Sequence, residues 1–194
     1  MSNVDNIKEM ILELENEDIV KRHKAITKLA KTKNNGLVEL LIKLLADNTS
    51  NLFKESVCDI LGEKKSKEAV EVLIGCLTDI DDGIKFKATI ALGKIGDKRA
   101  TKPLTKKLNK NVDSLLKSEA IIALGRIGDE SATKPLISIL KFDQDLFVKH
   151  HAVRALGEIG SKEAIKPLLE FANKKRKSRL NYLAHEAILK INNN

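Results

Sequence analysis

Tryptophan is absent from this 194-residue sequence, tyrosine occurs once and phenylalanine five times. A core of stacked aromatic rings is excluded, so the interior has to be built from Leu, Ile, Val and Ala, which suits helices packed closely together. Cysteine is scarcer still: Cys58 and Cys76 are the only two. Each stands inside an apolar helical pattern and reads as an inert, buried, small hydrophobe. Long apolar runs are missing too. Runs such as Leu40-Leu41-Ile42 and Leu44-Leu45-Ala46 are far too short to span a bilayer, and no charged-then-apolar leader opens the sequence. The expected setting is a reducing cytoplasm. There is also no glycine-rich phosphate loop, no Cys-x-x-Cys and no nucleophile elbow, so the common signatures of nucleotide, redox and acyl-transfer chemistry are lacking.

What is present is charge and aliphatic side chain: 32% of residues are charged and 42% hydrophobic. The apolar fraction is high enough to exclude wholesale disorder. The net charge of +8 is unevenly divided, because residues 1–97 carry 15 Lys/Arg against 17 Asp/Glu and residues 98–194 carry 20 against 10. A basic C-terminal half points to an acidic partner.

The sequence repeats itself. Ala91-Leu92-Gly93-Lys94-Ile95-Gly96-Asp97, Ala123-Leu124-Gly125-Arg126-Ile127-Gly128-Asp129 and Ala155-Leu156-Gly157-Glu158-Ile159-Gly160-Ser161 recur every 32 residues. A second block, at Ala100-Thr101-Lys102-Pro103-Leu104, Ala132-Thr133-Lys134-Pro135-Leu136 and Ala164-Ile165-Lys166-Pro167-Leu168, keeps step with the first. Such a period is the mark of a solenoid. Weaker copies upstream give repeats at 18–46, 51–78, 82–110, 114–142 and 146–173 within a single domain spanning 1–194. A helix at 4–17 with an Ile7, Met10, Ile11, Leu14 stripe forms an N-terminal cap, and residues 179–191 form a C-terminal half repeat.

Within a unit, Ile84, Ala88, Ala91, Leu92 and Ile95 follow helical spacing, and so do Leu104 and Leu108. Each repeat is therefore a pair of helices, a first and a second. Asp97, Asp129, Ser161 and Ser66 are expected to cap the second helix, and Gly96, Gly128 and Gly160 to end the first. Gly93, Gly125 and Gly157 are expected to let the second helix approach closely. Pro103, Pro135 and Pro167 belong in the first turn of the second helix or at the end of a short preceding turn. The fold class is all-α, a right-handed α-solenoid of about five helix-pair repeats between capping helices.

At these residues the chain resembles the HEAT-like repeats of the phycobilisome-lyase type, whose hallmark is an A-L-G-x-I-G-D turn followed by an A-x-x-P-L helix start. The resemblance implies a fold shared by bilin-attachment factors, deoxyhypusine hydroxylases and many plain interaction scaffolds. The hydroxylases place a His-Glu pair six and five positions before the Leu of A-L-G. The corresponding residues here are His23-Lys24, Glu55-Ser56, Phe86-Lys87, Ser118-Glu119, His150-His151 and Tyr182-Leu183, none of them His-Glu. His185-Glu186 lies three residues further along its helix and has no second copy with which to share a metal. His150 and His151 are adjacent on a helix, so their side chains diverge by about 100° and cannot easily chelate one ion. His23 lies four repeats away, on the order of 40 Å for helices about 10 Å apart. No catalytic residue, cofactor or metal is assigned.

A cation recurs early in the first helix, as Arg22, Lys54, Lys85, Lys117 and Lys149, and reads as a structural ladder pairing with acids in turns such as Asp82 or Asp113. The candidate interface is on the second helices, which in this repeat type are expected to line a concave groove. There the outward positions are Lys102, Lys106 and Asn109, then Lys134, Ser138 and Lys141, then Lys166, Glu170 and Asn173. Earlier repeats read Glu39-Lys43-Ala46 and Glu71-Gly75-Thr78, so the surface turns basic along its length. A basic turn follows, with Lys174, Lys175, Arg176, Lys177 and Arg179. These residues form either a solvated lysine-rich face or an anion-binding one. The expected function is a non-enzymatic scaffold for a partner protein or acidic peptide, with a monomer favoured and the oligomeric state left open. Backbone-directed nucleic-acid binding comes second, disfavoured by the shortage of Arg and aromatic side chains in the groove. A lyase- or hydroxylase-type enzyme or accessory factor comes third.

Overall fold

A computed structural model of the chain describes residues 3–34, 36–46, 50–109, 111–173 and 179–193, and among them there are helices and turns but no strand. A leading helix, α1 (Asn3–Leu12), is followed by first and second helices in alternation. The first helices are α2 (Ile19–Lys31), α4 (Asn51–Glu63), α6 (Asp82–Ile95), α8 (Ser114–Ile127), α10 (Leu146–Ile159) and α12 (Arg179–Asn192). The second helices are α3 (Leu37–Ala46), α5 (Val70–Cys76), α7 (Thr101–Thr105), α9 (Thr133–Phe142) and α11 (Ile165–Ala172). The chain divides into two compact units, Met1–Ile95 and Gly96–Asn194. The third repeat thus contributes its first helix to one unit and its second helix to the other.

In the N-terminal unit α2, α4 and α6 pack in sequence, with α3 and α5 against them. The α1 segment covers one end: Ile7 and Leu14 are buried, and the Ser56 hydroxyl donates to the Leu14 carbonyl at 3.2 Å. The C-terminal unit repeats the plan, with α10 between α8 and α12, and α7, α9 and α11 each packed on the first helix that follows. Ala184, Ala187, Ile188 and Ile191 bury the inner stripe of α12. The helical stripe of Ile84, Ala88, Ala91, Leu92 and Ile95 is buried, as are Leu104 and Leu108. Each large aliphatic side chain of this kind contributes roughly 1.5–3 kcal/mol on burial.

The A-L-G triad has a specific packing role. A Cβ on Gly62 would lie 2.8 Å from Ala91 Cα, one on Gly125 3.0 Å from Ala155 Cα, and one on Gly157 3.1 Å from Ala187 Cα. The element that comes close at Gly125 and Gly157 is thus the next first helix, not the second helix expected from the sequence. At these three positions, each within one unit, the Gly of one first helix receives the Ala of the next. In the C-terminal unit the second helices meet their successors through short 3-10 turns rather than along their lengths.

The helix ends are built differently from first to second helix. First helices are capped by side chains: Asp18, Ser50, Asp113 and Asp145 accept from backbone N–H groups in the first turns of α2, α4, α8 and α10. Asp81 does the same for α6, from the N–H of Ile84 at 3.0 Å. Gly128 and Gly160 end α8 and α10 in the left-handed region, at φ 69° and 77°, and Gly96 has φ 73°. Second helices begin with a 3-10 turn, at Lys67–Ala69, Lys98–Ala100, Glu130–Ala132 and Lys162–Ala164. Asp97 and Asp129 cap these turns, but Ser66 and Ser161 make no side-chain cap. Those two serines are buried, and their turns are closed by backbone bonds alone, Ala69 N–H to Ser66 and Ala164 N–H to Ser161. Pro103, Pro135 and Pro167 are the third residues of α7, α9 and α11, inside the first turn, where a missing N–H costs nothing.

Candidate interaction surface

The nine second-helix residues singled out by spacing, Lys102, Lys106, Asn109, Lys134, Ser138, Lys141, Lys166, Glu170 and Asn173, are all exposed and all lie in the C-terminal unit. One of the five lysines is paired. Lys134 Nζ stands 3.8 Å from Glu163 Oε1 with its side chain 80% exposed, a contact too open to hold much energy. Lys102, Lys106, Lys141 and Lys166 have no ion pair among the described residues. Of the basic turn, Lys174, Lys175, Arg176 and Lys177 lie outside the described residues. Arg179 opens α12, is exposed, and its charge reaches His150, which places it on the first-helix side.

Several first-helix charges pair with one another. Lys87 meets Asp59 at 2.6 Å and Lys94 meets Glu63 at 2.7 Å, each tying α6 to α4. In the other unit Arg126 reaches Glu119, and Arg154 reaches Glu158, both at 4.0 Å. Three of the five early-helix cations pair with acids as the ladder requires, with one change of partner, whereas Arg22 donates to the Asn16 carbonyl and Lys149 has no ion pair among the described residues. Lys54 pairs with Asp79 at 3.4 Å, Lys85 with Asp82 at 2.6 Å and Lys117 with Asp143 at 3.0 Å. Asp113 accepts instead from the N–H groups of Leu115 and Leu116, because its place immediately before α8 points its carboxylate at the open helix end. Burial pushes Asp143 up, but the Asp145 N–H and the Lys117 ammonium outweigh it and hold the carboxyl below its ordinary range.

Two clefts open among the first helices. The larger, about 400 Å³, lies between α2 and α4 and is lined by His23, Ile26, Lys31, Asp59, Glu63 and Lys94 among others. Its origin is legible in the triad: the columns that pair Gly with Ala elsewhere hold Ala30 and Ile60 here, so α2 cannot close on α4. The smaller, about 190 Å³, is lined by residues such as Arg154, Glu158, Glu186 and Lys190.

His150 and His151 do diverge, with their ring planes at 81° and centroids 5.4 Å apart, and His151 meets Phe147 edge-on at 4.5 Å. Burial, then the Arg154 guanidinium, push His150 below its usual value, and burial with His150 beside it does the same to His151. His185 and Glu186 are exposed on α12.

The HEAT-repeat family matches the chain over residues 38–124 and 101–188. No curated protein matches it. Among solved structures, an engineered protein 22% identical in sequence is similar with a TM-score of 0.61 over 97% of each chain. A designed armadillo repeat protein in complex with the peptide (KR)4 is 19% identical, with a TM-score of 0.61 over 95% of this chain and 99% of that one. In the complex of CpcE and CpcF of phycocyanin lyase from Nostoc sp., the similar chain is 22% identical, with a TM-score of 0.54 over 95% of this chain and 87% of its own. At such identities the likeness is one of fold.

Proposed function

The chain belongs to the HEAT-repeat family, and on that premise we propose that it is a non-enzymatic scaffold binding a partner protein through an acidic segment on the second-helix face of its C-terminal unit. The observation that carries this reading is the contrast between the two faces. Lys102, Lys106, Lys141 and Lys166 are exposed and without an ion pair among the described residues, whereas Arg126 and Arg154 on the first helices each stand by an acid of their own helix. An unbalanced column of cations attracts acidic partners and sets their orientation and on-rate. The face is the wider-spaced layer of its unit, so the partner lies across an open surface. Fold relatives support the general role: one is seen with a peptide and another in a two-protein complex, although fold alone does not transfer a ligand. The A-L-G-x-I-G-D motif supports a phycobilisome-lyase type of HEAT-like repeat.

The test is a fluorescence-polarisation titration of a labelled Asp/Glu-rich peptide and of a DNA duplex, each at low and at moderate salt. Binding of the peptide at both salts, with DNA retained at low salt only, supports the proposal. DNA bound more tightly than peptide, with a steep salt slope, favours a backbone-directed nucleic-acid binder instead.

A further inference from the structure

Four large apolar side chains stand in solvent at one edge of the C-terminal unit. Phe142 closes α9 and Leu146 and Phe147 open α10, with only Asp143, Gln144 and Asp145 between them. Leu115, the second residue of α8, holds the register of Phe147, the second residue of α10, and the two helices pack side by side. Lys117, in the first turn of α8, reaches Asp143 between α9 and α10 at 3.0 Å, which gathers the three segments at one edge. Leu115, Phe142, Leu146 and Phe147 are 59%, 68%, 70% and 55% exposed. Large apolar side chains grouped in water mark a contact surface, and aromatic ones carry most of the affinity there.

The acids of this edge are already engaged. Asp113 accepts from the Leu115 and Leu116 N–H groups, Asp145 accepts from the Phe147 N–H, and Asp143 is held by Lys117. Lys141 is different: exposed, one residue before Phe142, and without an ion pair among the described residues. It belongs to the lysine column of the second-helix face, so the apolar edge continues that column. A symmetric contact of two copies through the edge would bring their Lys141 ammonium groups together, which like charge opposes. A flat membrane against the helix ends would leave Lys134 out of reach, because it lies seven residues, or about 10 Å, back along α9. A polypeptide can turn from one surface onto the other. Building on the acidic-partner reading of the second-helix face, we propose that the partner segment is amphipathic. Its acidic side chains lie on the lysine column and its bulky aliphatic or aromatic side chains seat on Leu115, Phe142, Leu146 and Phe147. The lysines set approach and orientation, and the apolar edge supplies the part of the affinity that salt does not screen.

The experiment compares two labelled peptides of equal length and charge by fluorescence polarisation against the intact chain at low salt. One is an Asp/Glu run followed by Gly and Ser, the other the same run followed by Leu and Phe. The Leu/Phe peptide should bind the wild-type chain about tenfold more tightly. Phe142→Ser/Leu146→Ser, at the two most exposed positions of the edge, should remove that advantage and leave the Gly/Ser peptide bound as before; circular dichroism confirms that the variant folds. Equal binding of the two peptides to the wild-type chain, or an advantage that the double variant keeps, overturns the inference and leaves the acidic-partner reading standing. Binding of neither peptide, or binding that Lys102→Glu/Lys134→Glu/Lys166→Glu leaves unchanged, overturns both. Sedimentation of the wild-type chain with phosphatidylserine-containing vesicles, or self-association, either one abolished by Phe142→Ser/Leu146→Ser, assigns the edge to a membrane or a second copy and overturns the inference as well.

Discussion

Lys117 Nζ and Asp143 Oδ2 lie 3.0 Å apart with side chains only 7% and 11% exposed, joining α8 to the turn that leaves α9. Lys54 and Asp79 make the same connection two repeats earlier, at 3.4 Å and about 20% exposure. Because burial decides what an ion pair is worth, Lys117→Met should cost about 3–5 kcal/mol by stranding Asp143, and Lys54→Met about 1 kcal/mol. Urea unfolding checks the order. Adding Asp143→Asn to Lys117→Met should recover part of the loss, and equal costs for the two single variants would contradict the burial argument.

The glycines separate just as sharply. A methyl group on Gly62 would meet the Ala91 backbone at 2.8 Å, whereas one on Gly75 meets nothing within 4 Å. Gly62→Ala should destabilise by about 1–3 kcal/mol through overpacking. Gly75→Ala, on exposed helix surface, should stabilise by roughly 0.4–1 kcal/mol. Thermal melts of the two variants should shift in opposite directions.

Capping gives a third comparison. Asp113 accepts two N–H groups at the start of α8, so Asp113→Ala should cost about 1 kcal/mol. Ser161 stands at a helix start without capping it, and Ser161→Ala should stay within about 0.5 kcal/mol. A larger loss at Ser161 than at Asp113 would reverse the assignment.

Stability should also fall in mild acid. Burial holds His150 and His151 below 6.5 in the folded chain, so from that pH downward the unfolded chain binds protons that the folded chain does not. Their contribution is complete above 6.5 and is lost as pH falls through the folded values. The melting temperature should therefore be lower at pH 5.5 than at 7.5, and His150→Gln/His151→Gln should flatten the difference. An unchanged pH dependence would assign the effect to other groups.

Much of this was legible in the sequence, because a period of 32 with A-L-G, Gly and Pro in fixed columns specifies helix pairs, their ends and the buried stripe. Periodicity names columns, however, and not which column touches which. The partner of Gly125 was therefore misassigned: Ala155 is 30 residues away, on the next first helix. Asp81, Asp113 and Asp145 stand 32 residues apart, yet capping and ion pairing both call for an acid before a helix, and only direction distinguishes them. The lysine column was readable as a column; that Lys102, Lys106, Lys141 and Lys166 have no ion pair among the described residues, while Arg126 and Arg154 stand by acids, required coordinates.

The most direct measurement is the affinity of an acidic peptide for the wild-type chain and for Lys102→Glu/Lys134→Glu/Lys166→Glu, with Lys87→Glu on the first-helix face as control. The expected result is a loss of tenfold or more, roughly 1.4 kcal/mol, in the triple variant alone. Equal affinities for wild type and triple variant, or a loss confined to Lys87→Glu, would move the binding surface to the other face.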